Sequence, residues 1–222
     1  MIISLFLILI IISSCAKRMS PHLEERSPKE VMQEGINLFQ KGKFDEAMKI
    51  FQYVRDTHPF TSYAVLAELK LADAYYYNSD YENALAAYQD FEKLHPKNEN
   101  IPYVLYQIGL CYFNRILSID RDQTMTKEAL SAFKRVISEH PESHYAKRAF
   151  LKVKVCREKQ ASHEFYVGHF YYRTHRYKSA LLRFRNIVMH YSDLSIARQA
   201  KHYLELCTNK LKKEGGLAQS TL

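Results

Sequence analysis

Tryptophan is absent, and glycine and proline number only six each among 222 residues. So few chain breakers favour long helices joined by short turns. Alternating apolar and polar runs bounded by Asn-Gly or Asp-Gly pairs are missing too, which removes the usual signature of β-hairpins. Four cysteines occur, none in a Cys-x-x-Cys spacing; a disulfide framework or a zinc knuckle would need closer pairs. Catalytic signatures are equally scarce. No phosphate-binding glycine loop, no dinucleotide fingerprint and no Gly-x-Ser-x-Gly elbow is present. The nearest thing to a zinc-protease motif, His163-Glu164-Phe165-Tyr166-Val167, has valine where the second histidine would stand. What is present is ample for a packed all-α domain: 47% hydrophobic residues with 17 Tyr and 12 Phe. Nothing in the sequence points to an enzyme or to a cofactor.

Charge is uneven along the chain. Residues 1–142 carry 16 basic and 19 acidic side chains, net −3, whereas residues 143–222 carry 16 and 5, net +11. The imbalance fits either a well-solvated surface or a C-terminal half that docks on an acidic protein. No nucleic-acid motif accompanies it, so nucleic acid is not expected as a partner.

Residues 2–12 form an uncharged apolar run, too short for the roughly 20 residues that a spanning helix needs. The run suits the core of a secretory signal, and Ser13-Ser14-Cys15 follow it at once. Ile12-Ser13-Ser14-Cys15 resembles a bacterial lipobox, although no Lys or Arg precedes Cys15. On that resemblance residues 1–14 are the signal peptide, Cys15 carries a covalent lipid that holds the chain to a membrane, and residues 15–28 are a tether. A cleaved secretory peptide with an incidental cysteine is the alternative. The remaining Cys111, Cys156 and Cys207 are expected to be small buried hydrophobes.

A pattern recurs four times: Ala47 with Phe51, Ala84 with Tyr88, Ala129 with Phe133 and Ala180 with Phe184. An alanine four residues before an aromatic places a small and a large side chain on one helical face. Three copies reach His58-Pro59, His95-Pro96 and His140-Pro141, where proline stops the helix. The fourth reaches Ser192 without a proline. This phase fits the tetratricopeptide repeat of about 34 residues, with Gly35, Ala72, Gly109 and Gly168 as the small residues of the first helices. The expected fold is therefore an all-α superhelix (an α-solenoid) of about four to five helical hairpins over 29–213, with a flexible tail at 214–222. Ser62, Ser143 and Ser195 are candidate N-caps. An insertion around Ser118–Thr126 falls in a polar loop, and residues 144–175 hold one long helix or two with a junction near Gln160–Ser162.

First-helix residues of such repeats line an inner groove. They are Met32, Ile36 and Phe39; Leu69, Asp73, Tyr76 and Tyr77; Tyr103, Tyr106, Phe113 and Asn114; His169, Tyr172 and Arg173. Aromatic rings bury much area at low entropic cost, which suits them to a groove for an extended peptide. Asn, Asp and Arg would hold its main chain. Packing against the next repeat is the alternative role for several of these rings.

The combination of the lipobox, His58-Pro59-Phe60-Thr61-Ser62-Tyr63-Ala64 and the stretch Ala74–Tyr88 resembles the outer membrane assembly lipoproteins of the BamD (ComL) family. Asp120-Arg121-Asp122 and His163–Val167 extend the likeness, which covers about residues 12–205. Members usually carry a fifth complete repeat, whereas this chain stops after its first helix. The resemblance implies a non-catalytic lipoprotein of the outer membrane that faces the periplasm. It also implies two partners: periplasmic domains of a BamA-like barrel-forming subunit, and C-terminal signals of unfolded outer membrane proteins. Arg183, with Arg185 as the weaker candidate, matches a basic family position for the first of these. An envelope adaptor for cell division, peptidoglycan or secretion machinery remains the rival reading.

Overall fold

The computed structural model describes residues 25–219. Cys15, the signal segment and most of the expected tether lie outside these residues. Helices are the only regular elements among them: α1 Pro28–Gln40, α2 Phe44–Thr57, α3 Ser62–Tyr77, α4 Tyr81–Leu94, α5 Ile101–Asn114, α6 Thr124–Glu139, α7 His144–Arg173, α8 Tyr177–His190 and α9 Ile196–Gln219. The chain divides within α3 into two compact units, Met1–Ala67 and Glu68–Leu222.

In the first unit α1 opens on a capping box. Glu30 N–H donates to the Ser27 hydroxyl while Glu30 accepts from Ser27 N–H, and Pro28 occupies the first turn, where its missing N–H costs nothing. Arg26 adds an ion pair to Glu34. Helices α1 and α2 form a hairpin whose closeness depends on Gly35: a methyl group there would sit 2.6 Å from the Phe51 ring. Phe51, Ala47 and Val54 are fully buried.

In the second unit α4 packs on α5, α5 on α6, α6 on α7, α7 on α8 and α8 on α9, each helix against its chain neighbour. The aromatics of the repeat pattern, Tyr88, Phe133 and Phe184, are fully buried, as are Ala84, Ala129 and Ala180. The His-Pro stops hold: His58, His95 and His140 are the C-caps of α2, α4 and α6. α8 ends without a proline, at Tyr191, whose N–H still closes on Ile187 O. Burial pushes the Cys111 thiol up to about 12 and the Cys156 thiol to about 11, which leaves both as unreactive packing groups.

Three details differ from expectation, and for residues 144–175 the first of the two open readings, one long helix, holds. Ser143 caps α7 by accepting from Tyr145 N–H, but Ser62 lies inside α3, and Thr61 takes the capping role by accepting from Ala64 N–H. The polar loop ends at Gln123, and Thr126 is a buried residue of α6 that donates to Gln123 Oε1 at 3.0 Å. Residues 144–173 form one helix with no break near Gln160. α9 does not stop at Lys213; it runs through Gly215-Gly216 to Gln219. Two glycines cost roughly 1 kcal/mol each in a helix, but no proline follows to end it.

Candidate functional site

The inner positions of α3, α5 and α7 in the second unit come together as a wall of rings. Tyr76 packs edge-on to Tyr77 and Tyr81, with centroids 5.5 Å away in each case. Asn114 Nδ2 donates to the Tyr76 hydroxyl at 3.0 Å, which ties the end of α5 to α3. Tyr77 is 55% exposed and Asn114 is exposed, while Tyr76 and Phe113 are half-buried. These four residues present rings and an amide to solvent, as a peptide groove requires.

Four of the expected groove residues do not face solvent: Asp73, Tyr106, Met32 and Leu69. Asp73 is only 2% exposed. Its carboxylate accepts from Tyr88 Oη at 2.7 Å, Tyr103 Oη at 2.6 Å and Lys70 Nζ at 2.8 Å, and Gln107 Nε2 donates to both phenols. A buried carboxylate needs this many donors, so Asp73 serves the fold, and its burial keeps it from a peptide. Burial holds the Tyr103 and Tyr88 phenols well above the ordinary range. Tyr103 is half-buried with its hydroxyl committed to Asp73. The sequence did carry a signal for this hub: only the second repeat has tyrosine where the others bury phenylalanine, and a buried hydroxyl calls for a partner.

Tyr106 is the second correction, at 3% exposure. Phe133 and Tyr145 pack on it at 5.6 Å, and the Arg148 guanidinium covers it at 4.9 Å from the ring centre. Lys152 stands likewise over Phe113, its Nζ 4.1 Å from the centre. Both cations come from the first half of α7, which the repeat phase left unassigned, so sequence reasoning missed them. Met32 and Leu69 are also core residues.

The remaining expected positions lie elsewhere. Phe39 is half-buried in α1 of the first unit, edge-on to Phe44 at 5.4 Å. Tyr172 belongs to a separate aromatic cluster with Tyr177 at 5.6 Å and Tyr203 of α9 at 5.2 Å, while Arg173 beside it is exposed. His169 stacks on Phe165 in the same cluster. Arg183 donates from one guanidinium nitrogen to both oxygens of Glu164 at 3.1 Å, so it already has an internal partner, whereas Arg185 is exposed. No group of three or more possible metal ligands occurs among the described residues.

Solved structures share this architecture. The TPR2AB domain of yeast Sti1, in a complex with pHSP90, superposes with a TM-score of 0.53 at 14% identity, over 83% of this chain and 70% of that one. The likeness establishes a tetratricopeptide-repeat α-solenoid fold. Among curated proteins, the outer membrane protein assembly factor BamD of Caulobacter vibrioides is 28% identical over 92% of this chain and 70% of its own length. BamD of Neisseria gonorrhoeae is 27% identical over 86% and 75%, and BamD of Rickettsia prowazekii is 30% identical over 71% and 63%. The family model YfiO, described as outer membrane lipoprotein, matches residues 24–220. These relatives are assembly factors rather than enzymes, and the chain belongs to the YfiO family of outer membrane lipoproteins, the family of BamD.

Proposed function

We propose that this chain, a non-catalytic assembly factor for outer membrane proteins, works as a lipid-anchored scaffold on the periplasmic side of the outer membrane. One surface receives the C-terminal segments of unfolded barrel proteins, and another holds periplasmic domains of the BamA-like barrel-forming subunit. The observation that carries the reading is the patch of Tyr76, Tyr77, Phe113 and Asn114 on the inner positions of α3 and α5, with Tyr77 and Asn114 exposed and the rings of Tyr76 and Phe113 half-buried beside them. Rings in such a patch take up apolar and aromatic side chains, and the amide pairs with a peptide main chain. The basic charge of residues 143–222 supports an acidic partner surface for the C-terminal half. Covalent lipid on Cys15 would keep both surfaces near the membrane where barrels insert.

The test is binding of a fluorescent peptide ending in phenylalanine to the full chain in detergent. Replacing that terminal Phe by Ala, or Tyr76 and Tyr77 together by Ala, is expected to weaken binding about thirtyfold, the usual effect of removing an anchor at a hot spot. A folded double variant that binds as wild type places the groove elsewhere. The same preparation should co-purify the barrel-forming subunit, and Cys15→Ala should abolish fatty-acid labelling.

A further inference from the structure

The row of rings on α5 is not bare along its length. At the level of Tyr106 what meets solvent is a cation from α7, Arg148 over Tyr106 at 4.9 Å and over Tyr145 at 5.9 Å, and at the half-buried Phe113 a second one, Lys152, stands over the ring at 4.1 Å. The two lie four residues apart, so they stand one above the other on the same side of α7. Other cations of this unit that are held in place are held by carboxylates. Arg135 pairs with Glu92 and Glu139, Arg157 with Asp193, Arg183 with Glu164 and Lys70 with Asp73. Arg148 and Lys152 meet no carboxylate among the described residues, and only the rings position them. A ring face fixes a cation without using its N–H groups, so the donors stay available and already ordered. Arg148 is exposed and Lys152 half-exposed, which lets a ligand reach both.

We infer that Arg148 and Lys152 form an anion subsite within the proposed peptide groove, and that the group it takes is the chain-terminal carboxylate of the bound peptide. The inference rests on the groove reading. It adds to it the reason that a C-terminal segment, rather than any aromatic segment, is selected. Lys152 sits on Phe113, the chain neighbour of Asn114, and Asn114 binds Tyr76. A terminal carboxylate at the cations therefore leaves the last aromatic side chain against the rings of Phe113, Tyr76 and Tyr77. Two adjacent cations match the two oxygens of one carboxylate, and charge-assisted bonds of this kind are about twice as strong as neutral ones.

The experiment compares three fluorescent peptides on the full chain in detergent. One ends in phenylalanine with a free carboxylate, one is the same peptide amidated, and one is amidated with an internal glutamate. For wild type, amidation should weaken binding at least about tenfold, and the glutamate should not restore it. Arg148→Gln with Lys152→Gln should weaken the free acid by the same factor and leave the amide unchanged. Arg148→Lys with Lys152→Arg, which keeps both charges and the cover over Tyr106, should retain the preference for the acid and so separates charge from folding. Equal binding of acid and amide overturns the subsite and leaves the groove standing. Recovery by the internal glutamate overturns the assignment to the chain terminus. Failure of all three peptides to bind overturns the groove reading and this inference with it.

Discussion

Gly109 and Gly168 stand at equivalent points of their repeats, yet the space around them differs. A methyl group on Gly109 would lie 2.5 Å from the Phe133 ring, which itself packs against Tyr106 and Phe113; on Gly168 it would lie 3.0 Å from Phe184. Alanine gains roughly 1 kcal/mol over glycine in a helix, so the two substitutions should part company. Gly109→Ala should destabilise by about 1–3 kcal/mol as Phe133 is forced aside. Gly168→Ala should come out within about 1 kcal/mol of neutral, because a few tenths of an ångström of give suffices. Urea unfolding of both variants reads the difference, and equal effects would mean that the two hairpins are packed alike. This pairing of a small residue with a buried ring was legible from sequence, since it depends on one hairpin alone. The burial of Tyr106 was not: it comes from Arg148 and Tyr145, some forty residues away in a segment without a repeat phase.

Arg157 shows what holds an element that lacks the usual proline stop. Its guanidinium donates to both oxygens of Asp193 at 2.6 Å and to His190 O at 3.2 Å, and Tyr191 donates to Gln160 Oε1 at 3.1 Å. The turn between α8 and α9 is thus fastened to the middle of α7. The hydrogen bonds from Arg157 hold the Asp193 carboxyl below the usual carboxylate range. A depressed carboxyl stabilises the fold above its unfolded value of about 3.9 and ceases to do so as pH falls through the folded value. The fastening should therefore be intact at neutral pH and released only in acid. Arg157→Ala should raise amide exchange in residues 191–195 at neutral pH while the melting temperature changes little, since exposed ion pairs contribute little to global stability. Wild type in acid, corrected for intrinsic exchange, should approach the variant. Protection that stays unchanged in the variant would show that Tyr191 and Gln160 suffice. The end of α8 was legible in sequence only as a missing proline, because the fastening joins residues 36 positions apart.

The partner surface belongs to the scale of the whole molecule, where Arg183 has two claims on it. Sequence resemblance assigned it to an outside carboxylate, and the fold gives it Glu164. The charge swap Arg183→Glu with Glu164→Arg separates the two. An exchange at the surface should keep stability within about 0.5 kcal/mol of wild type, since the internal pair re-forms with its ends reversed. Co-purification with the barrel-forming subunit should nevertheless fall sharply, because the charge offered outward at residue 183 has changed sign. Full co-purification by the swapped protein would mean that Arg183 serves Glu164 only. Glu164 also lies on α7, the helix that carries Arg148 and Lys152. Residues 148 and 164 are 16 positions apart along one unbroken helix, about 24 Å at 1.5 Å per residue. A stiff rod has no way to move one end and spare the other. A tilt of about ten degrees imposed at Glu164 would carry the Arg148 end through about 4 Å, farther than the length of a hydrogen bond. Docking of the barrel-forming subunit would then act as a lever on the cations above Tyr106 and Phe113, and so set how tightly a captured chain end is gripped.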